Sequence, residues 1–105
     1  MRQYQLRNYY FSSSSAAADY LLRWRLHVDS LKIFNVETHG FFSASKEPNR
    51  VVALVSYPSG ANPDDVIGAY MKSEEFKADM SGFDMLQMER VETLLLTPDT
   101  NSPLY

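Results

Sequence analysis

NRVVALVSY, Asn49 to Tyr57, is the run on which the fold turns. Strand side chains alternate between the two faces of a sheet, so an unbroken apolar core from Val51 to Val55 predicts a strand covered on both. Helices of the same chain can cover one face. The other needs a second layer, and a second copy of the same sheet packed face to face is the economical one.

The neighbouring segments fit that strand into a pattern. Upstream, VETHGFFSAS (Val36 to Ser45) reads as its hairpin partner, joined through KEPN, which has hairpin length and turn residues. Before it, a 3.6-residue period predicts a helix from about Ala16 to Phe34. Serines precede this helix, the last of them able to cap it, and Asp19 is placed in the first turn where the helix dipole favours it. QYQLRNYYF (Gln3 to Phe11) alternates, with Tyr4, Leu6, Asn8 and Tyr10 on one side and Gln5, Arg7 and Tyr9 on the other.

Downstream, Asn62 caps a helix with Pro63 at its first position and two aspartates in its first turn. Ser73 caps a short segment, EEFKADM, that Gly82 ends. FDMLQMERVETLLL (Phe83 to Leu96) reads as the last strand. The order βαββαβ in one domain, residues 3–98 with a tail at 99–105, predicts an α+β, ferredoxin-like sheet with its first and third strands central.

Composition narrows the function classes. A net charge of −3 and a pI near 5.2 argue against a nucleic-acid footprint, which needs a basic face. Without cysteine there is no disulfide or thiolate chemistry. The N-terminal segment lacks a signal-peptide core and no apolar run is long enough for a membrane helix, so a cytoplasmic protein with no membrane partner is expected.

In the first helix, Tyr20, Leu21, Trp24, His27, Val28, Leu31 and Phe34 share one face. Leu22, Leu26 and Ile33 form a second stripe that points away and calls for a cover, either the C-terminal tail or another subunit. His27 near the edge of the main stripe could exchange protons near neutral pH, or simply hydrogen-bond at a layer boundary. Arg7 on a central strand must be paired, either by a ligand carboxylate or enolate or by an internal glutamate such as Glu89 or Glu92. His39 shares one side of an edge strand with Glu37, where solvent exposure is the plainer reading. Tyr9, Tyr57 and Tyr70 offer phenols that could orient a carbonyl or simply pack.

The metal reading is weak: two histidines, no cysteine and no i,i+4 ligand pair, leaving only His27, Glu37 and His39 as a conceivable triad. No glycine-rich phosphate loop or serine nucleophile elbow is present.

Taken in order, YQLRNYYF, RWRLHVDSL, HGFFSASKEPNRVVALVSY and SEEFKADM resemble the motifs of the NIPSNAP family. The resemblance spans roughly residues 3 to 98 and implies a dimeric α+β barrel. That superfamily holds cofactor-free enzymes and binding proteins, among them polyketide cyclases such as olivetolic acid cyclase, cofactor-independent monooxygenases, isomerases and haem-degrading enzymes. Single-domain fungal-type members look like accessory proteins of secondary metabolism. The histidine that some cyclases carry beside the short second helix is absent here, where Tyr70 and Phe76 lie, so their mechanism does not transfer.

The resemblance also implies a pocket between helices and sheet, with Trp24 and His27 looking inward. The function expected is acid–base catalysis, without a cofactor, on a hydrophobic oxygenated small molecule. His27 would be the proton carrier, Arg7 or a tyrosine the enolate stabiliser, and His39 the alternative base. Trp24, Tyr9, Tyr57, Tyr70 and Phe76 would shape the cavity. The rival readings are a non-catalytic binding module and a cofactor-free monooxygenase. An open cavity of several hundred Å³ would favour the enzyme, and a core closed by Trp24, Tyr70 and Phe76 the binding module.

Overall fold

The computed structural model describes all 105 residues. Its elements are β1 (Gln3–Phe11), α1 (Ser14–Lys32), β2 (Glu37–Ala44), β3 (Glu47–Tyr57), α2 (Pro63–Met71), α3 (Glu74–Asp79) and β4 (Met88–Leu96). The strands form one antiparallel sheet in the order β2-β3-β1-β4, so β1 and β3 are central. This is the ferredoxin-like α+β arrangement that the pattern predicts.

Val51, Ala53, Val55 and Tyr57 of β3 are completely or almost completely buried beneath the helices, together with Tyr9 and Phe11 of β1. From α1 they meet Ala17, Tyr20, Trp24 and Leu31, which recur at helical spacing. The opposite sheet face carries Leu6, Val52 and Leu54, half-buried, with Phe42, Leu94 and Leu96 exposed. One end of that face is covered by the chain itself: Pro98, Ser102 and Leu104 of the tail line a recess with Tyr4, Leu54 and Leu96.

The tail therefore does not cover the outer stripe of α1. Leu22, Leu26 and Ile33 are 54%, 52% and 64% exposed. The tail is drawn to the sheet because β4 delivers it there.

Several boundaries differ from the sequence expectation, each for a local reason. Ser13, not the last serine, caps α1 by accepting a hydrogen bond from the Ala16 amide at 3.1 Å. That shifts the helix start so that Asp19 leaves the first turn and instead pairs with Arg23 one turn on, at 3.2 Å. The hairpin turn is Ser45-Lys46, because Ala44 already pairs with Glu47. The last strand starts at Met88, since the Asp84 carboxylate accepts from the Leu86 amide and winds Met85–Gln87 into a 3₁₀ turn. Gly82, at φ 83°, makes the left-handed turn that releases the chain from α3.

Candidate functional site

A pocket lies between the helices and the sheet, its wall made of Arg7, Tyr9, Trp24, His27, Tyr70 and Phe76 with aliphatic and methionine side chains around them. α1 contributes Trp24 and His27 one turn apart, both 2% exposed. His27 is thus central in the apolar stripe rather than at its edge.

What holds His27 there is Asp79, the last residue of α3. The imidazole Nδ1 is 3.1 Å from Asp79 Oδ2, and the Tyr70 hydroxyl donates to the same oxygen at 2.7 Å. The Tyr70 oxygen is also 2.5 Å from Nδ1. Tyr70 has a single hydroxyl hydrogen, and the carboxylate claims it. Nδ1 must then carry a hydrogen, donated to Asp79 and shared with the Tyr70 oxygen, because a bare lone pair would face a carboxylate.

This assignment leaves Nε2 as the unprotonated nitrogen, and Nε2 is buried without a hydrogen-bond partner. The Trp24 indole N–H is likewise buried and unpartnered. Phe76 stacks flat on the imidazole, 6.0 Å between centroids and 8° between planes, while Trp24 meets it edge-on at 5.2 Å. Aromatic rings thus flank the imidazole on two sides.

Electrostatics agree with a neutral imidazole beside an ionised carboxylate. Burial lowers the His27 pKa, against the opposing hydrogen bond and charge of Asp79. Burial raises that of Asp79, but hydrogen bonds from Tyr70, Ser30 and His27 outweigh it and hold the carboxyl below its usual value. Burial, and the adjacent Asp79, push Tyr70 far up, so it stays a phenol.

A pH signature follows. The groups facing His27 are Asp79 from α3, Tyr70 from α2, and Tyr20 and Arg23 from α1. Because the folded pKa is below the unfolded one, the unfolded chain takes a proton first. Stability is full above the ordinary histidine pKa and falls as pH drops through the lowered folded value. His39 carries a shift of the same sign, from burial. The melting temperature should therefore decline on going from pH 7.5 to pH 5.5. His27→Gln should flatten that decline more than His39→Gln does, as a set of melting curves would show.

Arg7, on β1, donates through Nε to the Tyr9 hydroxyl at 2.7 Å and through Nη1 to Gln5 Oε1 at 2.9 Å. Tyr57 donates to the same Gln5 oxygen at 2.5 Å. Neither Glu89 nor Glu92 reaches Arg7. Glu92 stands opposite Asn8, on the other sheet face, and pairs with Arg90 at 3.5 Å. The internal ion pair considered for Arg7 does not form, because the acids of β4 lie at the wrong phase of the strand.

Six of the eight residues singled out from sequence, Arg7, Tyr9, Trp24, His27, Tyr70 and Phe76, meet at this pocket. Tyr57 stands behind it, reaching Arg7 only through Gln5. His39 does not join them. It shares with Glu37 the sheet face away from the helices, its ring 5.0 Å from Tyr4 and its Nε2 2.7 Å from the Ser56 hydroxyl. A triad of His27, Glu37 and His39 is therefore impossible, and no three acidic or histidine side chains are placed to hold a metal ion.

Sequence reasoning missed Asp79, Gln5 and the methionines. Asp79 follows Phe76 by three residues, which puts both on one side of α3; that spacing was its only signal. Four of the five methionines, Met71, Met80, Met85 and Met88, line the pocket. Its free volume is about 70 Å³, well below the several hundred Å³ looked for. The flexible thioether chains on its wall are the side chains most able to move aside.

A NIPSNAP family protein from Agrobacterium tumefaciens superposes with a TM-score of 0.76 at 17% identity, over 100% of each chain. The fold is that of the NIPSNAP proteins. A NIPSNAP-like domain protein from Burkholderia xenovorans gives 0.75 at 17% identity, over 97% of this chain and 89% of that one. A putative antibiotic biosynthesis monooxygenase from Nitrosomonas europaea gives 0.65 at 10% identity, over 96% and 93%. No protein-family model matches the sequence, and no curated protein matches it either. The NIPSNAP likeness is therefore one of architecture, and the chemistry has to be argued from the pocket. No helix is long and apolar enough to cross a membrane.

Proposed function

We propose that the protein is a cofactor-independent acid–base enzyme of cyclase or isomerase type. Its substrate would be a hydrophobic oxygenated small molecule of the kind met in secondary metabolism, and it would act as a homodimer. One observation carries the reading: a buried imidazole whose Nδ1–H is held by Asp79 and whose Nε2 lone pair is unspent on a pocket wall. A carboxylate that fixes the tautomer leaves the other nitrogen free to take a proton from a carbon acid and return it elsewhere. The Arg7 guanidinium lines the same pocket, where it can stabilise an enolate oxygen.

The small free volume favours a second reading, a binding module without turnover. Proton exchange separates the two. Hydrogen–deuterium exchange at the acidic carbon of a hydrophobic 1,3-diketone, followed by NMR in D₂O, should be accelerated by the protein and not by its His27→Gln variant. Binding of the diketone with no acceleration of exchange would leave the binding module.

A further inference from the structure

The charge inventory around Arg7 points to the class of ligand. Of the five N–H groups on a guanidinium, Arg7 spends two, on Tyr9 and Gln5. Both hydrogens of Nη2 and one of Nη1 are left. The cross-strand neighbours of Arg7 are Ala53 and Thr93, and along β1 it is flanked on its own face by Gln5 and Tyr9. None is acidic. None of the chain's ion pairs includes Arg7, and the one at this pocket, His27 with Asp79, is complete without it. Burial pushes the Tyr20 phenol well up, and lifts Tyr57 to about 12 against the pull of Arg7, so neither supplies a negative charge.

The result is a partly buried cation with no anion of its own, on the wall of an otherwise apolar pocket that contains no carboxylate. Such a charge is costly unless something completes it. The Tyr57–Gln5–Arg7 chain of hydrogen bonds fixes the fork in advance of any ligand. A single guanidinium matches a single negative charge, so a phosphate dianion would be poorly neutralised, whereas a carboxylate fits the free donors.

We propose that the pocket takes an amphipathic monocarboxylic acid, its carboxylate on the free Nη donors of Arg7 and its apolar body against the methionine wall. This deepens the pocket reading above but does not require catalysis. The site brings its own reporter, because Trp24 is the sole tryptophan and lines the pocket.

Octanoate, 1-octanol and octylammonium share one apolar body and differ in head group. Titrated against Trp24 fluorescence at pH 8, octanoate should bind at least about tenfold more tightly than octanol, as expected for a hydrogen bond to a charged group. Octylammonium should bind weakest. Arg7→Met should erase the preference while octanol still binds, and Arg7→Lys, which keeps the charge but not the fork, should retain part of it. Far-UV circular dichroism checks that both variants are folded. Equal binding of octanoate and octanol to the unmodified protein overturns the carboxylate proposal and leaves the pocket reading standing. If none of the three ligands changes Trp24 emission or binds by calorimetry, both fail together.

Discussion

Glutamine in place of His27 should leave a folded protein whose proton-exchange activity is lower by a factor of about 10²–10⁴, the usual contribution of a positioned acid–base group. Glutamine is close to histidine in volume and can still donate to Asp79. The cost in stability should stay below about 1.5 kcal/mol. Alanine should behave differently. His27 is 2% exposed and is one of the groups holding a buried carboxylate. Removing it leaves a cavity and takes a hydrogen bond from Asp79, a loss of about 2–4 kcal/mol.

Burial of the His27–Asp79 pair therefore mixes a folding defect into any effect of alanine. Glutamine is consequently the informative variant, and the experiment is paired: exchange rate and melting temperature on the same sample. A His27→Gln protein with full exchange activity would remove histidine from the chemistry. An inactive and unfolded one would return the residue to the core.

How far this site could be read in advance depends on what kind of relation joins its residues. Trp24 and His27 are one turn apart on a single helix, so their common face follows from 3.6-residue periodicity. Arg7 and Tyr9 share a strand face by alternation. The unbroken apolar run of NRVVALVSY marks a central strand, and β3 is central in the sheet. Asp79 is another matter. It lies 52 residues from His27 and meets it only because α3 folds back across α1. In the sequence it looks like one more acid in a polar helix. Gln5 is similar, a strand glutamine that becomes meaningful only when Tyr57 and Arg7 are seen to share its oxygen. His39 does share the side of Glu37, as alternation predicts, but no local pattern says that this side faces away from the helices. Local periodicity was readable; long-range pairing and the side that faces the helices were not.

Leu54→Glu should turn the proposed dimer into a monomer. Leu54 stands on the face of β3 away from the helices, at the border of the tail recess and beside Leu6 of β1, which in turn faces Leu94 of β4. With Val52 and Phe42 they make an apolar surface that the tail covers at one end only. A free chain of this size gains little from leaving such a surface in water, and a stable interface needs roughly 1,200–2,000 Å² in total. A second copy would match it, because the face also carries both signs of charge, Arg50 and Arg90 with Glu92, which a twofold operator can set against each other. Twofold symmetry doubles the effect of any substitution. Each Leu54→Glu interface would receive two unpaired carboxylates, each costing several kcal/mol if kept from water. Dissociation should strengthen by well over a hundredfold. Light scattering at micromolar concentration should then fall from about twice 12.0 kDa to 12.0 kDa. The helix-side pocket lies on the opposite face, so the octanoate preference should survive in the monomer. Leu22→Glu, on the exposed outer stripe of α1, is the matched control and should leave the mass unchanged. Should Leu22→Glu dissociate the protein while Leu54→Glu does not, the copies meet through the helix and the sheet face is covered by something else.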